Sequence, residues 1–288
     1  MDLDHAAPYL PWPDLVTSPT SLFERDDAVL RPTSLTRGPW DHGFLHGGAV
    51  CAAAGWALER ARPDDDLVLA RMTVEIRSMV PVAALETDAA VVKPGKRTRI
   101  IEANLRHEGR LLARATSQWV RYRSGLTEPP VGRPVASRPA TAADPGANLD
   151  IGYPRPGFNC DAVELRPIKS TTEDPGPGLI WVRLRHPVVA GEVTSPLLMA
   201  LSVADLGIAV GWEHSPFGAG FINPDVTVQL NRYPVGEWLL FASRVHAAAN
   251  GVGFCETVLS DDHGLIGRIL QTLVETPEDW VDPFAGRQ

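Results

Sequence analysis

The sequence predicts an α+β fold in which two similar units each pack one long apolar helix against an antiparallel sheet. Two observations support this prediction. Short segments recur in the same order along the chain, and in each half one helix-like stretch is followed by several strand-like stretches. The 288 residues, of which 44% are hydrophobic, suffice for one large domain or two small ones with a sizeable core.

The internal repeat consists of three pairs of matching segments. They are DAVLRP at 27–32 with DAVELRP at 161–167, TVEIR at 73–77 with TVQLNR at 227–232, and EGRLLAR at 108–114 with HGLIGR at 263–268. Because all three pairs keep the same order, a duplication explains them better than chance similarity does. The alignment also places Gln118 opposite Gln271.

A proline-rich segment separates the two units. Residues 124–157 contain seven prolines, which disfavour regular secondary structure and favour an extended connector. We therefore predict an N-terminal unit at 20–123, a linker at 124–157 and a C-terminal unit at 158–280.

The N-terminal unit begins with an alternating pattern at 22–37, which predicts a strand or a hairpin. The stretch 47–61 is rich in alanine and lacks proline, so it predicts a helix. Strand-like stretches follow, separated by turn signals that contain glycine or proline. They lie at 68–77, 85–93, 98–106 and 110–122.

The C-terminal unit repeats this order. A helix is predicted at 196–213, with Ser195 as its N-cap and Pro196 at its first position. Strands are predicted at 222–233, 237–247, 252–260 and 265–275. Both helices are apolar on nearly all sides, which predicts that the sheet wraps around them.

Composition and charge exclude several classes of protein. The formal net charge of −8 argues against a nucleic-acid partner, and no apolar run reaches the roughly 18 residues that cross a membrane. The three cysteines are too far apart for a disulfide framework or a zinc site, which favours a cytoplasmic location. His42 and His46 are four residues apart, but no third ligand is evident, so we predict no metal and no cofactor.

One carboxylate occupies an unusual position. In the predicted helix, the neighbours of Asp205 on its own face include Leu201 and Ile208, so Asp205 lies in an apolar stripe. Burial would raise the pKa of this carboxyl towards the range that suits a general base. The alternatives are a helix that is less buried here, or an internal break at Gly207 that Asp205 caps.

The first helix carries no carboxylate at the equivalent position. The repeat places Gly55 or Trp56 there. We therefore predict one active site per chain, with the other half degenerate.

Several segments together resemble the acyl-CoA thioesterase II family, in particular its actinobacterial-type branch. The segments are His46-Gly47-Gly48, Ala204-Asp205-Leu206, Asn223 to Thr227, Asn231 to Pro234, Glu237 to Leu240, and Gln271. The resemblance covers most of the chain outside residues 1–20 and the linker. It implies a double hotdog fold, in which a helix wrapped by an antiparallel sheet occurs twice. It also implies hydrolysis of an acyl-CoA thioester to a free acid and CoA, without a metal.

The resemblance further implies a catalytic triad of an Asp, a Thr or Ser, and a Gln that together hold a water molecule. The Asp matches Asp205 and the Gln matches Gln271. The hydroxyl position falls on Asn223, which can form hydrogen bonds but has no hydroxyl group. Thr227 lies on the same predicted strand, where alternation would place both side chains on one face. Asn223 and Thr227 therefore both remain candidates for the third member.

Two glycines begin the first predicted helix. The free N–H groups of Gly47 and Gly48, beside His46, favour developing negative charge and predict an oxyanion site. A tight turn that simply needs glycine is the alternative reading.

One basic cluster stands out in this acidic chain. Lys93, Lys96, Arg97 and Arg99 surround the turn at 94–95, and phosphate groups of CoA could bind there through Lys96 and Arg97. A solvated hairpin tip is the alternative.

The sequence thus predicts a cytoplasmic acyl-CoA thioesterase of fatty acid metabolism in which Asp205 activates a water molecule. Attack by Asp205 itself, through an anhydride, is left open. A non-catalytic acyl-CoA or fatty-acyl binding protein is one alternative, motivated by the amide of Asn223. A hotdog dehydratase or hydratase is another, although the Asp/His loop of those enzymes is not found. By analogy with other hotdog proteins, we expect a homo-oligomer, a dimer or larger.

Overall fold

The computed structural model describes residues 19–39, 41–123, 134, 136–138, 156–169, 176–211, 221–247 and 251–275. Most of the predicted linker at 124–157 lies outside these ranges, and so does the end of the helix predicted at 196–213. The three predicted domain ranges stay a prediction.

Thirteen strands form one antiparallel sheet within the described ranges. In the N-terminal half they are β1 Phe23–Asp26, β2 Val29–Pro32, β3 Leu67–Ile76, β4 Leu85–Lys93, β5 Thr98–His107 and β6 Arg110–Arg121. In the C-terminal half they are β7 Val163–Lys169, β8 Gly178–Leu184, β9 Phe221–Ile222, β10 Asp225–Leu230, β11 Trp238–Ala247, β12 Val252–Asp261 and β13 Gly264–Glu275. The strand or hairpin predicted at 22–37 is the β1–β2 hairpin, followed by a 3-10 turn at Ser34–Thr36.

The strand order is the same when it is read inwards from either end of the sheet. It runs β1-β2-β4-β5-β6-β3-β10-β13-β12-β11-β8-β7, and β9 pairs with β13. The two halves meet where β3 pairs with β10, with Thr73 opposite Thr227. This symmetric order is the arrangement that two copies of one unit would produce.

The strand register corrects one detail of the predicted repeat. Thr73 pairs with Thr116 on β6, and Thr227 pairs with Leu270 on β13. The residue after each partner is Ser117 in one half and Gln271 in the other. Ser117 is therefore the positional equivalent of Gln271, and Gln118 lies on the opposite face because side chains alternate along a strand.

The first predicted helix is confirmed as α1, Gly47–Arg60. His46 caps it, because its Nδ1 accepts a hydrogen bond from the Gly48 N–H at 2.9 Å. The helix is buried over most of its length, and its alanines allow it to pack closely against the C-terminal helix and the sheet.

The second predicted helix is broken. It forms α2, Pro196–Ser202, then a 3-10 turn at Ala204–Leu206 and α3, Gly207–Gly211. Ser195 caps α2 as predicted. The Ser202 hydroxyl donates to the Leu198 carbonyl at 2.6 Å, a bond that weakens the helical hydrogen-bond pattern at this point. Because of this break, the residues around Asp205 do not continue the apolar stripe of one regular helix.

A buried ion pair holds the turn between β10 and β11. The Arg232 guanidinium donates to both carboxylate oxygens of Asp261 at 2.6 Å, and Asp261 is fully buried. The carboxylate also accepts from the backbone N–H groups of Val235 and His263. Burial opposes ionisation, but the bonds from Arg232 and these N–H groups outweigh it and lower the pKa of Asp261.

We expect Asp261→Ala to lower the free energy of unfolding by about 3–5 kcal/mol, because it leaves Arg232 without its buried partner. Asp262→Ala is the matched control, since its exposed carboxylate makes only a surface pair with Arg138 and should cost less than about 1 kcal/mol. Urea denaturation at neutral pH measures both. Because the folded pKa of Asp261 is low, the stability it adds is present at neutral pH and is lost as the pH falls below about 4. Equal effects of the two variants would contradict this role of the ion pair.

Candidate active site

Two amide side chains hold the Asp205 carboxylate. Asp205 lies in the 3-10 turn between α2 and α3, and its side chain is about 10% exposed. Its Oδ1 accepts a hydrogen bond from Asn223 Nδ2 at 2.7 Å and another from Gln271 Nε2 at 3.0 Å. Gln271 Nε2 also donates to the Asp205 carbonyl at 3.2 Å. Asp205, Asn223 and Gln271, which are far apart in sequence, thus meet in one cluster.

The N-terminus of α1 completes the cluster from the other half of the chain. A Cβ placed on Gly47 would lie 2.4 Å from Asp205 Oδ2, so only glycine permits this approach. The Gly48 N–H contributes a hydrogen bond to the carboxylate as well as its bond to His46. The N–H of Gly47 donates to no residue that the structure describes. One hydrogen-bond donor at the N-terminus of α1 therefore stays available beside the carboxylate.

His46 is buried and neutral. Burial lowers its pKa to about 3, and its ring stacks on Phe158 with centroids 4.5 Å apart. Its Nδ1 lies 3.4 Å from Asp205 Oδ2. Because Nδ1 accepts from Gly48 and the ring carries no charge, this contact is not an ion pair, and the ring proton is assigned to Nε2.

Burial raises the pKa of Asp205 to about 7. The hydrogen bonds from Asn223, Gln271 and Gly48 oppose this shift, because they stabilise the charged form. Among the described residues no cation pairs with the carboxylate, since His46 is neutral. The result is a buried carboxyl group that is about half ionised at neutral pH, a state suited to accepting and returning a proton.

The structure separates the two candidates for the third triad position. Thr227 lies in β10, and its hydroxyl bonds to the hydroxyl of Thr73 at 3.0 Å, whereas the side-chain partners of Asp205 are Asn223 and Gln271. Asn223 precedes β10, because Pro224 has no N–H to donate and interrupts the predicted strand. Asn223 therefore lies outside the alternating strand, and of the two candidates it is the one whose side chain bonds to Asp205.

Gln271 is almost fully buried, at 1% exposure, so it is not a surface residue of an exposed strand. Both of its N–H contacts go to Asp205. Its Oε1 accepts a hydrogen bond from no described residue, although it is buried. An unsatisfied buried acceptor is costly, so this oxygen marks a place where a donor from outside the protein fits.

Lys96 and Arg97 are not part of this cluster. They lie exposed on the turn between β4 and β5, where their carbonyls accept hydrogen bonds from Arg121 at the end of β6. Asp205 contacts the N-terminal end of α1, and the 14 residues of that helix span about 20 Å. Phe158, which stacks on His46, is not among the predicted site residues, because it directly follows the proline-rich segment and carries no periodic signal.

The described residues contain no group of three or more His, Cys, Asp or Glu side chains that could hold a metal ion. No helix in the described ranges is long and apolar enough to cross a membrane.

Comparisons with known proteins match both halves of the chain. A family model described as the acyl-CoA thioesterase N-terminal domain matches residues 36–120, and one described as the C-terminal domain matches residues 134–274. Among curated proteins, no sequence matches significantly.

Solved structures show the same fold. A protein of unknown function with a hot dog fold from Alicyclobacillus acidocaldarius has a TM-score of 0.65 and 14% identity, over 90% of this chain and 97% of that one. The tesB protein of Mycobacterium avium subs paratuberculosis has a TM-score of 0.61 and 16% identity, over 90% and 97%. The acyl-CoA thioesterase II TesB2 of Mycobacterium marinum has a TM-score of 0.61 and 13% identity, over 92% and 98%. The chain therefore has the hotdog fold.

We expect Asn223→Ala to raise the pKa of Asp205 by about 1 pH unit, because the carboxylate loses a donor that stabilises its charged form. Thr227→Val is the control, since Thr227 does not touch Asp205, and it should leave this pKa unchanged. A carbon-13 NMR titration of the aspartate carboxyl signals measures both variants. If Thr227→Val produced the larger change, the assignment of the third position to Asn223 would be wrong.

Proposed function

The chain belongs to the acyl-CoA thioesterase family, and we propose that it hydrolyses its acyl-CoA thioester with a water molecule activated by Asp205. The observation that carries this mechanism is a buried carboxylate, held by two amides, beside the N-terminus of a helix. The products are the free acid and CoA. We propose that the reaction needs no metal ion.

The two oxygens of Asp205 have different roles in this mechanism. Oδ1 accepts from Asn223 and Gln271, so it is held in place and its basicity is reduced. Oδ2 faces Gly47 and the unprotonated Nδ1 of His46, and it is the oxygen that would take the proton from water. The backbone at Gly47 lies close to Oδ2 and leaves little room beside it. This favours attack on the thioester by a small water molecule over direct attack by the carboxylate.

Gln271 would orient the attacking water. Its Nε2 is held by Asp205, so its Oε1 has a defined position and is free to accept a water O–H. Because the amide is neutral, it can orient the water without adding a positive charge, which would lower the basicity of the carboxylate.

The N-terminus of α1 would stabilise the tetrahedral intermediate. The Gly48 N–H is already used by His46 and Asp205, whereas the Gly47 N–H has no described acceptor. We therefore assign the oxyanion to Gly47 N–H, supported by the positive end of the helix dipole. When the intermediate collapses, the carbon–sulfur bond breaks and the proton held by Asp205 goes to the thiolate of CoA.

The side chain of Asn223 favours a hydrolytic function over one of binding alone. Its amide supplies the hydrogen bond to Asp205 that a hydroxyl would otherwise supply, so the missing hydroxyl is no reason to expect an inactive protein. This argues against the alternative of a non-catalytic acyl-CoA binding protein.

The test is release of CoA thiol from a panel of acyl-CoAs that differ in chain length. Asp205→Asn should lower kcat by about 10²–10⁴-fold, because the amide cannot accept the proton. Asp225→Asn is the matched control and should retain activity. The Asp225 carboxylate accepts from the Thr272 N–H, whereas the bond from Asn223 goes to the Asp225 backbone carbonyl, which the substitution leaves in place. EDTA should leave the wild-type rate unchanged.

Two outcomes would contradict this proposal. Equal rates for Asp205→Asn and wild type would remove Asp205 from the mechanism. Hydration of a 2-enoyl-CoA without any thiol release would instead support the hydratase alternative.

The pH dependence of kcat/KM should follow the ionisation of Asp205. The reactive form is the carboxylate, and burial raises its pKa to about 7. We therefore expect kcat/KM to rise about tenfold per pH unit below pH 7 and to level off above it. In Asn223→Ala the midpoint should move to higher pH, whereas in Thr227→Val it should not move. A flat profile between pH 5 and pH 8 would contradict the role of Asp205 as the base.

A further inference from the structure

The His46 ring has different neighbours at its face and at its edge. Its face stacks on the Phe158 ring, with the ring planes 11° from parallel. At its edge, Nδ1 accepts the hydrogen bond from the Gly48 N–H and lies 3.4 Å from Asp205 Oδ2. Two states are chemically open to such a ring. It stays neutral, as it does here, or it takes a proton on Nδ1 and forms an ion pair with Asp205.

The ion pair would remove the base that the proposed function requires. A protonated Nδ1 donates instead of accepting, so it would lose its bond from Gly48 and would bond to Oδ2 of Asp205. Oδ2 is the oxygen assigned to take the proton from water. The added proton would have to leave the pair before Oδ2 could act, so the site depends on a neutral His46.

Two consecutive carbonyl groups hold the backbones of the stacked residues. The Thr36 carbonyl accepts from the His46 N–H at 2.8 Å, and the Arg37 carbonyl accepts from the Phe158 N–H at 3.0 Å. Phe158 is fully buried and begins the short helical turn Phe158–Ala162. Because both backbones are bonded to neighbouring residues of one segment, the two rings are placed side by side before any substrate binds.

Gly48 makes room for the Phe158 ring at the start of α1. A Cβ on Gly48 would lie 2.8 Å from Cζ of Phe158 and 2.5 Å from the Ser202 carbonyl oxygen. Without that Cβ, the phenyl ring reaches the first turn of α1 and covers the face of His46. An apolar cover excludes water and disfavours the charged imidazolium, in agreement with the pKa of about 3 for His46.

We propose that Phe158 is a positioning residue: its stack keeps water from the His46 ring and holds the ring neutral, which leaves Oδ2 of Asp205 free to accept a proton from water. The inference rests on the proposed function of Asp205. Phe158 acts on the carboxylate through His46, whose Nδ1 is the ring atom next to Oδ2. Asp205 thereby avoids a cationic partner although a histidine lies beside it.

Three thiols lie near the site, and none of them takes over this role. Cys51 on α1 and Cys255 on β12 are fully buried, and burial raises the pKa of both, that of Cys255 to about 12. Cys160 lies in the turn that Phe158 begins. A thiol is neutral or negative, so none of the three supplies a positive charge to Asp205.

The charged side chains on the segments next to the stack do not set the state of His46 either. They are those of Arg37, Asp41 and Asp161. Burial alone lowers the pKa of His46, and among the described residues no cation contributes to the shift in the pKa of Asp205. The cover of the ring is therefore the feature that decides its charge.

The direct test is a nitrogen-15 NMR titration of the His46 ring between about pH 5 and pH 8, with His46→Asn to identify its signal. In the wild type the ring should not titrate in this range. Phe158→Ala should bring the titration into it, because water reaches the uncovered face and the Asp205 carboxylate stabilises the imidazolium. If Phe158→Ala does not fold, Phe158→Leu, which keeps more of the buried volume, should show the same change in part.

Phe23→Ala is the matched control. Phe23 is also fully buried, and its N–H bonds to the Val188 carbonyl in the other half, as that of Phe158 bonds to Arg37. The substitution removes the same phenyl ring at a similar cost in stability. Because it leaves Phe158 on the His46 ring, that ring should stay neutral.

Enzyme kinetics then show whether Phe158 acts through His46. In Phe158→Ala the midpoint of kcat/KM should move to higher pH by roughly 1 unit, which lowers kcat/KM at about pH 6 about tenfold, because the ion pair stabilises the added proton. Phe23→Ala should not move the midpoint. His46→Asn keeps an acceptor for the Gly48 N–H but cannot be protonated, so in that background Phe158→Ala should leave the midpoint unchanged.

A His46 ring that remains untitrated in both Phe158 variants would overturn the proposal. So would the same titration in Phe23→Ala, or a midpoint that moves as far in the His46→Asn background as without it. The NMR readout needs no turnover, so it separates this inference from the proposed function. If Asp205→Asn retained full activity while His46 titrated only in the Phe158 variants, the assignment of the base would be wrong and the effect of the stack on His46 would stand.

Discussion

The contact between the Asp205 carboxylate and the N-terminus of α1 is the constraint on which the rest of the site depends. Only a residue without a side chain at position 47 lets Oδ2 approach the backbone so closely. The contact buries the carboxylate without a cation, and this raises its pKa into the neutral range. The amides of Asn223 and Gln271 then limit the cost of burial, because they hydrogen-bond to Oδ1.

This contact joins the two halves of the chain. Gly47 and His46 come from the N-terminal half, while Asp205, Asn223 and Gln271 come from the C-terminal half. The pairing of β3 with β10 makes one continuous sheet, so the helices on its inner face lie against each other. Neither half could form the site alone, since each contributes groups that the other lacks.

The two ends of this helix pair have different chemistry. Ser117 occupies the position equivalent to Gln271, and its hydroxyl bonds to the Ile101 carbonyl and the Trp119 indole. Leu201 fills the space next to Gly55, where the equivalent carboxylate would stand. Within the described residues, the carboxylate with its two amides therefore occurs at one end only. The turn between β4 and β5 lies towards the other end of α1, where Arg99 pairs with Asp64.

The element order, the apolar helices and the unusual position of Asp205 could be predicted from local features, namely periodicity, capping and an acidic residue in an apolar stripe. Gln271 was predicted from the family resemblance. The sequence could not choose between Asn223 and Thr227, since the interruption at Pro224 and the turn towards Asp205 depend on how β10 docks on β3. A break in the second helix was left open as an alternative, and the structure places it between Ser202 and Gly207. The meeting of Asp205 with Gly47, Asn223 and Gln271 is seen only in the tertiary structure, because it depends on distances between segments that are far apart in the chain.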